Sequence, residues 1–113
     1  MHSFTGIVQR SSKRATALGY PTANIPLGDD SSGVYAARVF VGDQVYRAAA
    51  FADPKRKILE AHIVDFEGDL YNKEITIELV RKLRDTQTFK SDDELRTAIA
   101  DDISKVRTFF VVT

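Results

Sequence analysis

Thr22, Asn24 and Glu60 are the side chains of this sequence whose type and spacing point to chemistry. Thr22 and Asn24 sit in "LGYPTANIP", between Pro21 and Pro26, in a segment without helical period. Proline fixes φ and removes a backbone donor, so the two prolines mark a strand edge or an irregular segment. In extended backbone, positions two apart share a face, so Thr22 and Asn24 would present their oxygens together, an arrangement suited to a hard cation or a phosphate. The plainer reading, and the favoured one from these residues alone, is a turn whose Thr and Asn bond local backbone. Glu60 interrupts the apolar run Leu59 to Ile63, with His62 on its own face. It reads either as part of the solvated face of a half-buried sheet or as a pocket carboxylate, a general base or metal ligand. Zinc is disfavoured, because catalytic zinc usually takes three protein ligands and His2 lies at a terminus prone to fray.

The loop ahead of this segment is bracketed by Gly6 and Gly19 and carries Arg10, Lys13 and Arg14, with no acidic residue among them. Glycine permits the close backbone approach that phosphate cradling needs, although the spacing matches neither the P-loop nor the dinucleotide fingerprint. A second basic run, Lys55 to Lys57, could attract a polyphosphate or could be solvated surface.

The elements that must position these groups are mostly strands. "GVYAARVFV", the turn Gly42-Asp43 and "QVYRAAAF" form a meander pair. "KILEAHIVDF" (57–66) and "EITIELVRKL" (74–83) alternate with period two around a turn at 67–69, which predicts a second hairpin with one buried face. The last third changes period. Ser91 and Glu94 form a capping box, acidic residues fill the first turn, and Leu95, Ile99, Ile103 and Val106 make one stripe of a helix. One helix with about six antiparallel strands is most economically a small closed barrel, an open two-layer α+β sandwich being the alternative.

At 113 residues the chain suits one domain, 1–113, with a core of its own. It has no cysteine, which excludes disulfides and thiolate metal sites. Sixteen basic residues balance sixteen acidic ones, so no global field draws it to nucleic acid or to an anionic membrane. No apolar run is long enough to span a bilayer and no signal peptide is visible, so a cytoplasmic protein is expected.

Taken in order, Gly6 to Val8, "LGYPTANI", "GVYAARV", "LEAHIVDFEGDLY" and "LRDTQTFKSDDEL…I..D" resemble the riboflavin kinase family, over nearly the whole chain. The resemblance implies an all-β fold, a six-stranded antiparallel Greek-key barrel with the C-terminal helix packed outside. It implies transfer of the ATP γ-phosphate to the terminal ribityl hydroxyl of riboflavin, giving FMN and ADP, with Mg2+, by a monomer that engages neither nucleic acid nor membrane. Carried over by position, Thr22 and Asn24 hold the magnesium and the phosphates; Gly6 and Gly19, which bracket the basic loop, and Lys13, whose charge could partly replace an arginine that the family has there, join them as nucleotide-binding candidates. Glu60 corresponds to the catalytic base, and Arg84 and Phe89 to the flavin-contacting segment. The chain departs from the pattern at Ser11, Ala15 and Thr16, where the family has two glycines and an arginine, and at "AFADPKRK", a shortened block after the third strand. These departures leave a second reading, a non-catalytic flavin- or nucleotide-binding module on the same barrel, and a weaker third, an interaction domain without either ligand. No nucleotidyltransferase segment precedes Met1, so FAD synthesis is not expected of these residues.

Overall fold

The computed structural model describes residues 2–9, 22–66 and 68–111. Among the described residues six strands, β1 (His2–Ile7), β2 (Thr22–Pro26), β3 (Gly33–Val41), β4 (Gln44–Asp53), β5 (Ile58–Ile63) and β6 (Glu74–Arg84), precede one helix, α1 (Asp92–Val111). All neighbours in the sheet are antiparallel, in the order β1-β6-β3-β4-β5-β2. The meander β3-β4-β5, with β6 returning beside β3, is the Greek-key order. The sheet curls until its two end strands meet. Gln9 N–H donates to the Asn24 carbonyl at 2.8 Å, and a Cβ on Gly6 would lie 3.3 Å from Ile25 and Pro26, so glycine is what lets β1 close against β2. The expected barrel with an outer helix is therefore what the chain forms, and the open sandwich is not.

Period-two alternation sends one side chain of each pair inward. Ile25, Val39, Leu59, Ile75 and Ile77 fill the interior, with the small Ala37, Ala48, Ala50, Ala52 and Ala61 completing a narrow core. The outer face of β3 and β4 shows Ala36 and Ala49 to the helix, and these methyls let α1 settle close through Val106, Ile103, Phe109 and Phe110. Helix α1 begins as its sequence predicts, with the Ser91 hydroxyl accepting the Glu94 N–H, but the Glu94 carboxylate reaches the N–H of Lys90, one residue outside the expected box. At its other end Arg107 and Arg47 both bond Asp65, joining helix to sheet.

The second hairpin needs correction. β5 and β6 are consecutive but not paired, since β5 lies between β4 and β2, and β6 between β3 and β1. The segment between them crosses one barrel end, with Leu70 buried in the core, Asp65 and Asn72 at φ 56° and 68°, and Asn72 N–H bonded to the Val8 carbonyl. The apolar face of β6, Ile75, Ile77 and Leu79, is spent on closing the barrel beside β1 and β3. β5, between β4 and β2, is buried on both faces, not on one.

Candidate functional site

Strand register lines up the outer face in two rows. Asn24 stands opposite Glu60, Glu60 opposite Phe51, Phe51 opposite Val34 and Val34 opposite Arg84, which makes one row over five strands. The row beside it is Thr22, His62, Ala49, Ala36 and Arg81. Leu59 and Ala61 turn into the barrel, so Glu60 and His62 must turn out, toward α1. There they are covered. Asn24 is 2% exposed, Glu60 6% and His62 7%, which overturns both plain readings: Thr22 and Asn24 lie in a strand, not a turn, and Glu60 is not on a solvated face.

The oxygens at this point are unusual. One Glu60 oxygen, Oε1, lies 3.2 Å from His62 Nε2. The other, Oε2, together with Thr22 Oγ1 and Asn24 Oδ1, is buried with no hydrogen-bond partner among the described residues. A buried acceptor left unpaired costs about 1–3 kcal/mol, so three on one face mark a place built for something electropositive. An all-oxygen set with one carboxylate fits a hard cation such as magnesium, which keeps waters and takes substrate phosphates to complete its shell. Among the described residues no group of three His, Asp or Glu stands together, so a zinc-type cage is not on offer.

Beside these oxygens opens a cleft of about 390 Å³. Its floor is the first row, Val34, Phe51 and Glu60; one wall is α1, through Leu95 and Ile99; the far wall is Gln87, Thr88 and Phe89; Arg56 also lines it. Arg84 holds the far wall in place. Its Nε and Nη2 donate to the two oxygens of Asp102 at 2.9 and 2.8 Å, Nη1 donates to the Asp85 carbonyl, and the guanidinium lies 5.8 Å from the Phe89 ring centre. With its charge matched by the buried Asp102, Arg84 is a planar surface more than a free cation.

The structure thus brings Thr22, Asn24 and Glu60 together, with Arg84 and Phe89 on the same cleft. Gly6 sits at the β1–β2 seam, and Lys13 and Gly19 lie outside the described residues. Sequence reasoning gave Phe51 and Asp102 no role of their own and read Arg56 only as part of the basic run 55–57. Asp102 had a signal, since it occupies the apolar stripe of α1 seven residues after Leu95, where a carboxylate needs a buried partner. Arg56, within the basic run, is joined to Asp53. The Asp53 carboxylate accepts the Lys55 and Arg56 N–H groups on Oδ1 and Arg56 Nε on Oδ2 at 2.7 Å. Partial burial raises the Asp53 pKa, and these bonds and the guanidinium charge outweigh it, leaving the carboxyl below its ordinary value.

Residues 1–110 match a family model described as "Flavokinase: Riboflavin kinase". The bifunctional riboflavin kinase/FMN adenylyltransferase of Escherichia coli K12 is 35% identical over 98% of this chain and 39% of its own length. Among solved structures, that of a macrolide-efflux protein from Streptococcus pneumoniae superposes with a TM-score of 0.76 at 29% identity, over 93% of this chain and 36% of that one. The riboflavin kinase of Trypanosoma brucei superposes at 0.65 with 22% identity, over 95% of this chain and 78% of that one, and speaks for the fold. The chain spans between 18% and 39% of the length of the first curated relatives it matches.

Proposed function

The chain belongs to the riboflavin kinase family, and from that premise we propose that it transfers the γ-phosphate of ATP to the 5′-hydroxyl of the ribityl chain of riboflavin, giving FMN and ADP. The observation that carries the reading is the meeting of three unpaired buried oxygens with an aromatic-lined cleft at Glu60. A flavin ring lies in the cleft over Phe51 and against Phe89, and its ribityl chain runs along the row toward Glu60. The row from Arg84 to Glu60 covers three strand spacings, about 14 Å, room for an extended planar ligand and the start of its tail. Asn24 is the next residue of that row and Thr22 its neighbour on β2, so the nucleotide phosphates are met on the far side of Glu60 from the ring.

Thr22 Oγ1 and Asn24 Oδ1 would hold the magnesium ion, which when bound supplies charge neutralisation to the β- and γ-phosphates. Glu60 orients the ribityl hydroxyl through Oε2, while the Oε1 contact with His62 holds the carboxylate in place. As the new P–O bond forms and the bond to the β-phosphate oxygen breaks, the hydroxyl proton passes to Glu60 and ADP leaves. A carboxylate is too weak a base to strip an alcohol beforehand, but a loose phosphoryl-transfer transition state asks only for a late acceptor. The proposal covers this kinase step alone. It extends to a monomer in the cytoplasm.

The test is incubation with riboflavin, ATP and magnesium, with FMN and ADP resolved by chromatography. Equal amounts of both products are expected. Tight riboflavin binding without FMN above the protein-free control would overturn the kinase reading in favour of a binding module.

A further inference from the structure

Among the described residues lining the cleft, Arg56 is a cation with hydrogen-bonding capacity unspent. Arg84 has donors engaged by Asp102 and Asp85, whereas Arg56 uses only Nε, on Asp53, and neither of its Nη groups bonds a described residue. Arg56 is also held in position. The same Asp53 carboxylate that binds Nε caps the turn by accepting the Lys55 and Arg56 backbone N–H groups, and Lys57 closes that turn at φ 55°. Such anchoring removes much of the rotamer entropy that a free arginine would lose on meeting a ligand.

Its place in the register says which half of a ligand it meets. Asp53 is on β4, two residues beyond Phe51 on the same face, and stands opposite Ile58. Thr22 and Asn24 are on β2, across Glu60 from β4. Arg56 lies in the turn joining β4 to β5, anchored on Asp53 of β4, and lines the cleft together with Phe51, whereas Thr22 and Asn24 are not among the cleft's lining residues. Beside Phe51 the cleft carries Val34 and Ala49, and a guanidinium fork presents two parallel donors suited to paired in-plane acceptors.

Building on the kinase reading, we propose that Arg56 is a specificity residue that donates through its Nη groups to a carbonyl oxygen and the adjacent unprotonated ring nitrogen on the pyrimidinedione side of the flavin, selecting a planar ligand with adjacent ring acceptors. Lysine, a point charge without the fork, replaces it poorly.

The test is titration of flavin fluorescence with protein in the absence of nucleotide, using riboflavin and lumiflavin, which keeps the ring and lacks the ribityl chain. In Arg56→Met the Kd of both flavins rises about tenfold, the worth of one charge-assisted hydrogen bond, while the KM for ATP stays at the wild-type value. Arg56→Lys recovers less than half of the loss. Unchanged flavin Kd in Arg56→Met, a loss confined to riboflavin, or a rise in the KM for ATP instead would each overturn the assignment, the last by moving Arg56 to the phosphates. Wild-type protein that binds neither flavin would instead overturn the kinase reading itself.

Discussion

Replacing Thr22 with valine should separate stability from activity, and the sign of the first effect is the informative one. Thr22 Oγ1 is buried without a hydrogen-bond partner among the described residues, on a strand whose inward neighbours Ala23 and Ile25 are fully packed. Valine keeps the β-branched shape, suits the strand and deletes the unpaired oxygen. Removing a buried acceptor that has nothing to bond returns about 1 kcal/mol of its desolvation cost, the low end of the usual range because the residue is only partly covered. For a domain of this size that is a rise in Tm of roughly 3–6 °C. With MgADP present the order should reverse. A ligand at a hundredfold excess over its Kd stabilises the wild type by about 2.7 kcal/mol, and a variant lacking one of the holding oxygens should keep little of that. FMN formation should fall at least about tenfold, since even outer partners of a metal ligand are worth that much. Differential scanning fluorimetry with and without MgADP, beside a chromatographic rate, reads all three quantities. A Thr22→Val protein that melts below wild type without ligand would refute the reasoning, because the hydroxyl would then be serving the fold.

Glu60→Gln should lower the rate of FMN formation by about 10²–10⁴-fold while riboflavin still quenches on binding, as a fluorescence titration and a product assay together would show. Arg84→Met alone strands the buried Asp102 and should cost about 3–5 kcal/mol in urea denaturation, whereas Arg84→Met with Asp102→Leu should recover most of that stability and still bind flavin weakly. Gly33→Ala should destabilise by about 1–3 kcal/mol, since Gly33 has φ 110° and an added Cβ would come within 2.7 Å of the Arg84 carbonyl oxygen and of the Lys82 side chain; circular dichroism melting would measure it. The Asp65 carboxyl is held below its ordinary pKa by the Arg107 hydrogen bond, then by the Arg107 and Arg47 charges, against slight burial. A lowered folded pKa means its contribution is complete above the unfolded carboxylate range and fades as pH falls through the folded value. The Tm gap between wild type and Asp65→Asn should accordingly close in acid and also narrow at high salt, with a pH-independent gap counting against the ion pairs.

Much of this was legible beforehand, and unevenly. The strands β3 and β4 and the start of α1 were clear because their turn and cap residues, Gly42-Asp43 and Ser91, act locally. The β5–β6 hairpin was misread for the complementary reason. Alternation in Ile75, Ile77 and Leu79 fixes which face is buried but carries no mark of the strand it will lie beside, and the partner, β1, is at the other end of the chain. Thr22, Asn24 and Glu60 were picked out by type, yet on their own residues looked like a turn and a wet sheet face. What changed their meaning was burial and the β2–β5 register, both products of long-range packing. Asp102 was missed because a lone acidic residue among Asp92, Asp93 and Asp101 looks like more of the same until the helix stripe is drawn through it.

The seam between β1 and β2 has a kinetic consequence. The meander β3-β4-β5 uses near neighbours in the chain, but β2 must find β5, and β1 must find β6, over long stretches of intervening sequence. Closing such loops is entropically slow, so these pairings belong to the late events of folding. Thr22 and Asn24 ride on β2 while Glu60 waits on β5, and a slip of one residue would turn Ala23 and Ile25 outward in their place. The oxygen cluster therefore comes into being only when the barrel shuts in the right register. In a refolding experiment, recovery of nucleotide affinity should lag the recovery of sheet signal.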